Sequence, residues 1–170
     1  MKYLILLGLP LFALDQLTKW LVRQNIPYGA EIPLIPGFFS LVHASNTGAA
    51  FSMFTGNNFI FVGLATAALV VILFLFLRDA RTRKEEQRLS RLTKISFALL
   101  AGGVLGNLTD RICRGAVTDF LHFYIHEYAW PSFNVADSCI CIAAGLLILA
   151  SFQKPRGRDA LPRDPGVHAR

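Results

Sequence analysis

The sequence predicts an all-α membrane protein: four transmembrane helices and a small outer β-cradle. Three observations predict it. The apolar residues are gathered in four blocks of bilayer-spanning length. Lys and Arg are concentrated in alternate connections between those blocks. The connection after the first block is too apolar for a solvated loop, and it places β-branched and aromatic residues between Pro and Gly.

The composition supports the first observation. The chain of 170 residues is 54% hydrophobic and 16% charged, where a soluble domain carries about 25% charged residues. Its length suits one domain. The blocks run over about Tyr3–Val22, Phe59–Leu77, Ile95–Cys113 and Val135–Phe152. The bilayer core needs roughly 20 apolar residues as helix, and in lipid every backbone polar group must be satisfied internally, so each block is expected to be helical. The first block has the Lys2 and Leu4–Leu14 of a signal peptide, but Ala13-Leu14-Asp15 is a poor cleavage site. The apolar pattern then resumes at Leu17, Trp20, Leu21 and Val22, so this block is read as a retained helix.

Charge sets the expected orientation. The net charge is +6, but its placement beside apolar blocks fits anionic lipid and topology control, not a nucleic-acid groove. The second connection holds Arg78, Arg81, Arg83, Lys84, Arg88, Arg91 and Lys94, and the region after Gln153 holds five more Arg or Lys residues. The first connection holds only Arg23. Both termini and the second connection are therefore expected on the cytoplasmic side, with the first and third connections outside. Residues 1–153 form the expected membrane domain, and 154–170 a basic, disordered cytoplasmic tail.

The two outer connections differ in character. Residues 32–54 read as short strands lying on the membrane surface, the β-cradle. Arg114–Phe133 carries Phe120, Phe123, Tyr124, Tyr128 and Trp130, which suit either an interfacial anchor or the wall of an apolar substrate site.

Polar residues inside the apolar blocks cost roughly 2.5–3.5 kcal/mol each on insertion scales when charged, yet several are present. Asp15 and Lys19 lie in the first block, Asn107, Asp110 and Arg111 in the third, and Asn134 and Asp137 at the start of the fourth, with Asp119 just beyond the third. With the orientation above, all fall at one depth near the outer interface. Asp15 and Lys19, four apart, can pair on one helix face. Asp110 and Arg111 are adjacent and diverge, so each is expected to find partners elsewhere. Asn134 suits a helix N-cap, which puts Asp137 in the first turn of the fourth helix. Asp119 and Asp137 have no obvious local cation. Facing each other, they would share a proton, one taking it from water while the other protonates the leaving group. From spacing alone a catalytic dyad, a proton relay and a structural pair all fit.

Other signals are weak. His122 and His126 are four apart but lack a third clustered ligand, so no metal is expected. Cys113, Cys139 and Cys141 read as small buried hydrophobes without a disulfide framework. Asn107-Leu108-Thr109 sits in an apolar helix and cannot be a glycosylation acceptor.

Five motifs carry a resemblance. Asp15-Gln16-Leu17-Thr18-Lys19, Asn46-Thr47-Gly48-Ala49-Ala50-Phe51, Gly102 through Arg111, Val117-Thr118-Asp119-Phe120 and Phe133 through Ser138 occur in the order found in the lipoprotein signal peptidase (signal peptidase II) family, which the chain resembles from about Met1 to Phe152. The resemblance implies a bacterial inner-membrane aspartic endopeptidase that removes the signal peptide from diacylglyceryl-modified prolipoproteins, cutting just before the lipid-modified cysteine. It implies catalytic Asp119 and Asp137, supported by Asp15, Lys19, Asn46, Gly48, Asn107, Asp110, Arg111, Asn134 and Ala136. It also implies an outer β-cradle and no metal or organic cofactor. The expected partners are the prolipoprotein and membrane lipids, with no nucleic acid, and the chain is expected to be a monomer. The Asn and Arg groups are expected to hold backbone and head-group oxygens of the substrate. A proton-coupled transporter would instead spread ionisable groups over several depths, and a non-catalytic lipid-binding protein would leave two matched aspartates unexplained.

Overall fold

The computed structural model describes residues 1–48, 57–84 and 87–152. The tail expected at 154–170, the cradle residues beyond Gly48 and the Ala49-Ala50-Phe51 part of the second motif lie outside the described residues.

A π-helical segment, Leu4–Gly8, runs directly into α1, Leu9–Asn25. The wide turn lies just before Pro10, whose ring removes one backbone donor from the ladder. The other helices are α2 (Asn58–Arg81), α3 (Arg91–Arg114) and α4 (Val135–Ser151). Among the described residues three spans are long and apolar enough to cross a membrane: Leu4–Asn25, α2 and α3. α4 is apolar but has 17 residues, the short end of the usual range. The mean hydropathy of α2 is 3.0 against 1.3 for α3, because α3 carries the polar residues of the site.

The basic connection is shorter than the sequence pattern suggests. α2 continues through Arg78 and Arg81, whose positive charges suit the C-terminal end of the helix dipole. Asp79 then closes the turn. It accepts the Leu89 N–H at 2.7 Å and pairs with Lys94 Nζ at 2.9 Å. Ser90 caps α3 by accepting the Thr93 N–H at 3.0 Å.

α3 packs against α1, α2 and α4, and its small residues set how close they come. A Cβ on Gly102 would lie 2.7 Å from the Gly8 carbonyl, and one on Gly103 would lie 2.5 Å from the Ala136 carbonyl. Backbone thus touches backbone at two helix pairs, as small residues allow in membranes.

The sheet is larger than expected. β1 (Glu31–Ile35) and β2 (Phe39–Asn46) form a hairpin, and β3 (Val117–Ile125) and β4 (Tyr128–Ala129) extend it in the order β1-β2-β3-β4, all antiparallel. The segment after α3, read from its aromatic residues as an anchor or wall, is therefore the strand beside β2. Its alternation of Asp119, Leu121 and Phe123 with Phe120 and His122 is a strand period that the aromatic content obscured. Phe120 packs with Val22 and Ile26 against Leu41, Leu121 and Val135, which fixes the sheet to the end of α1. Cys139 is buried, but Cys113 and Cys141 are exposed, unlike the expectation for all three.

Candidate active site

The site is built from five pieces: the middle of α1, the end of β2, the C-terminal half of α3, the start of β3 and the N-terminus of α4. Lys19 is its centre and is 0% exposed. Its Nζ meets Asp15 Oδ2 at 2.9 Å, Asp110 Oδ2 at 3.2 Å and Asn107 Oδ1 at 2.9 Å. A buried ammonium is tolerable only when its three protons are matched in this way. Asp15 also accepts the Ala136 N–H at 2.9 Å, which ties α1 to the first turn of α4. A Cβ on Gly106 would come within 2.5 Å of Asp15 Oδ2, so glycine there makes room for the carboxylate.

Asp110 finds the partners that sequence spacing could not name. Besides Lys19 it pairs with Arg114 at 3.1 Å and lies 3.7 Å from Arg23, and it accepts the Thr118 N–H at 3.2 Å. Arg23 in turn donates to Thr118 Oγ1 at 3.1 Å. These bonds hold the start of β3, and so position Asp119. Arg111 diverges from Asp110 and reaches elsewhere. Its guanidinium donates to the Gly48 carbonyl at 2.7 Å and lies 4.3 Å from the Phe61 ring centroid.

Asp119 and Asp137 converge beyond this charged layer. Asp119 Oδ1 accepts from Asn134 Nδ2 at 2.8 Å and Oδ2 from Asn46 Nδ2 at 3.2 Å. Asp137 Oδ1 accepts from Asn107 Nδ2 at 2.7 Å and Oδ2 from the Asn134 N–H at 3.2 Å. Asn134 and Asp137 together form a capping box, since Asn134 Oδ1 accepts the Asp137 N–H at 2.9 Å. The asparagines therefore point at the aspartates, not outward at a substrate as the sequence reading had them. Burial pushes the Asp119 carboxyl up to about 7, and the nearby Asp137 charge adds to the shift.

A cavity of about 470 Å³ opens on Asp137. Asp137 and Asn46 line its polar end, and Trp130, Phe133, Ile140 and Cys141 its apolar remainder. Such a site suits a ligand that is mostly apolar with one polar point of attack.

A sequence profile described as signal peptidase (SPase) II matches residues 7–153. The chain belongs to the signal peptidase II family. A lipoprotein signal peptidase of Symbiobacterium thermophilum is 43% identical over 145 residues, covering 85% of this chain and 91% of that protein. One from Nitratidesulfovibrio vulgaris is 42% identical, covering 91% and 93%. A solved structure described as a bacterial membrane enzyme superposes with a TM-score of 0.78 at 27% identity, covering 99% of this chain and 96% of that one.

In this signal peptidase II family member, the structure brings Asp15, Lys19, Asn107, Asp110, Asn134, Ala136, Asn46, Asp119 and Asp137 into one network. Gly48 and Arg111 form an adjoining contact. Sequence reasoning missed Arg23, Thr118 and Arg114. Arg23 stands four residues after Lys19, on the same helix face, which was a usable signal; Thr118 acts largely through its backbone, which no side-chain pattern reveals. Among the described residues no cluster of His, Cys, Asp and Glu could hold a metal.

Proposed function

We propose that this chain is an intramembrane aspartic endopeptidase that removes the signal peptide from diacylglyceryl-modified prolipoproteins, cutting just before the lipid-modified cysteine. Asp119 and Asp137 are its catalytic residues. The observation that carries this is the meeting of two buried aspartates, every carboxylate oxygen held by an N–H, with Asp137 on the wall of a mostly apolar cavity.

The environments of the two carboxylates divide their roles. Asp137 sits in the first turn of α4, where the helix dipole and two N–H donors favour a carboxylate. Asp119 is buried on a strand, with a pKa of about 7, and holds the shared proton. In the reaction Asp137 takes a proton from water as the water oxygen attacks the scissile carbonyl, and Asp119 gives its proton to the carbonyl oxygen. The C–N bond then breaks. The nitrogen leaves as an amine with the proton held by Asp137, and the new carboxylic acid returns the other proton to Asp119.

The remaining chain supports that chemistry. Four helices span a bacterial inner membrane, α4 included, with both termini cytoplasmic. Residues 1–153 are the peptidase domain, a monomer in contact with membrane lipids, and 154–170 a cytoplasmic tail. The site then lies near the outer face, with the sheet as a cradle above it. Asp15, Lys19, Asn46, Gly48, Asn107, Asp110, Arg111, Asn134 and Ala136 maintain its shape.

Purified protein incubated with a diacylglyceryl-modified prolipoprotein should release the signal peptide. Asp119→Asn and Asp137→Asn should each lower turnover by roughly 10²–10⁴-fold. Near-normal cleavage by either folded variant would remove the dyad.

A further inference from the structure

Three asparagines face the aspartate pair, from three different elements: Asn46 at the end of β2, Asn107 on α3 and Asn134 at the N-cap of α4. A side-chain amide can turn either its NH₂ or its carbonyl oxygen to a neighbour. For a carboxylate the two choices are opposite, because the first stabilises the charge and the second repels it. Something must therefore decide which way each amide faces.

In all three the carbonyl oxygen is occupied by a group that can only donate. Asn134 Oδ1 accepts the Asp137 backbone N–H at 2.9 Å, and Asn46 Oδ1 accepts the Gly48 backbone N–H at 3.0 Å. Asn107 Oδ1 accepts from Lys19 Nζ at 2.9 Å, with a longer contact of 3.3 Å from Asn134 Nδ2. The NH₂ groups are left for the aspartates. For Asn46 and Asn134 the lock is main chain and comes with the fold. For Asn107 the shorter bond comes from one buried side chain, Lys19.

We propose that Lys19 is a positioning residue for catalysis. By holding Asn107 Oδ1 it makes Asn107 present an N–H to Asp137 Oδ1, and so keeps Asp137 the proton acceptor of the pair. Without Lys19 the amide oxygen keeps only the longer contact from Asn134 Nδ2, too weak to stop it turning. Its oxygen would then face Asp137 Oδ1, and the contact would be relieved by a proton on Asp137, the wrong state for taking one from water. The inference rests on the dyad assigned above. The charged groups around Asp137 are Asp119 from β3, Asp15 and Lys19 from α1, and Arg111 from α3, with Asp110 behind Lys19. Among the described residues the donor to Asp137 Oδ1 is Asn107.

Lys19 also neutralises Asp15 and Asp110, and its charge acts on Asp137 through space, so the positioning role is read from how much of the pH shift depends on Asn107. The test is the pH dependence of kcat in wild type, Lys19→Met, Asn107→Leu and the double variant, each normalised to folded protein. Lys19→Met should lower kcat roughly 10- to 100-fold, the loss expected for a hydrogen bond to a charged group, and should move the acidic limb to higher pH. Asn107→Leu should do the same, and Lys19→Met should move the limb less on the Asn107→Leu background than in wild type, because only the through-space effect of the charge remains there. An acidic limb left in its wild-type place by Lys19→Met, or moved equally far in wild type and on the Asn107→Leu background, overturns the proposal. If Lys19→Met does not accumulate folded, Asp15→Asn/Lys19→Met removes a negative charge with the positive one. Compared with Asp15→Asn alone it should show the same shift, and no shift is again an overturning result. Turnover surviving in Asp137→Asn would defeat the dyad itself, whereas an inactive Asp137→Asn with an unmoved Lys19→Met profile would defeat the positioning role alone.

Discussion

Asp119 shows how one residue's surroundings become a measurable pH dependence. Its pKa is raised from the ordinary aspartate value of ~4 to about 7, first by burial and then by Asp137. The folded chain therefore holds a proton that the unfolded chain has lost anywhere between those values. By linkage, the stability contributed by this proton is complete below ~4 and is lost as pH rises towards about 7. Thermal midpoints measured across that window should fall with pH, and in Asp119→Asn this part of the slope should disappear. In the proposed mechanism this proton is the one given to the scissile carbonyl, so kcat/KM should decline on the basic side with a midpoint near 7. A basic limb two or more pH units higher would assign the acid to another group.

At the scale of elements, the helices are placed by what is missing from them. Gly103 lets the Ala136 backbone reach α3, and Gly106 leaves room for Asp15. Gly103→Ala should cost about 1–3 kcal/mol, as overpacking does, and Gly106→Ala should also lower activity by displacing Asp15 from the Ala136 N–H. Gly145, on α4, has nothing within 4 Å of a built Cβ. Gly145→Ala should be neutral or slightly stabilising, because glycine inside a helix costs roughly 0.5–1 kcal/mol relative to alanine. Thermal unfolding in detergent of the three variants checks this contrast, and equal effects would mean that the α3–α4 approach is not limiting. The same element scale explains β3. Its pairing to β2 and its tether through Thr118 to Asp110 and Arg23 place Asp119 opposite the start of α4.

At the scale of the molecule, the charged network lies beneath the sheet, and the basic connection lies at the far ends of α2 and α3. If Lys and Arg set the orientation, a single cysteine placed at exposed Lys84, with Cys113, Cys139 and Cys141 replaced by alanine, should react with a membrane-impermeant thiol reagent only from the cytoplasmic side. One at exposed Tyr28, beside the sheet, should react from outside. Labelling with the opposite sidedness would invert the topology and put the site at the inner face. Substrate access fits the same geometry, since the apolar part of the cavity runs along α4 through Ile140 and Cys141.

Sequence by itself determined the helices, their number of apolar blocks and the gathering of Asp15, Lys19, Asn107, Asp110, Asn134 and Asp137, because hydropathy and the cost of charge in lipid are properties of composition along the chain. It also determined the α4 cap, which is local. It did not determine that β3 joins β1 and β2 in one sheet, because strand pairing is a contact between segments more than seventy residues apart and leaves only a weak period-2 trace. Nor did it determine that the Asn amides turn inward to the aspartates, or that Asp110 is shared by Lys19, Arg23 and Arg114. Those were decided by tertiary structure, since the direction of a hydrogen bond depends on which donor arrives from another element.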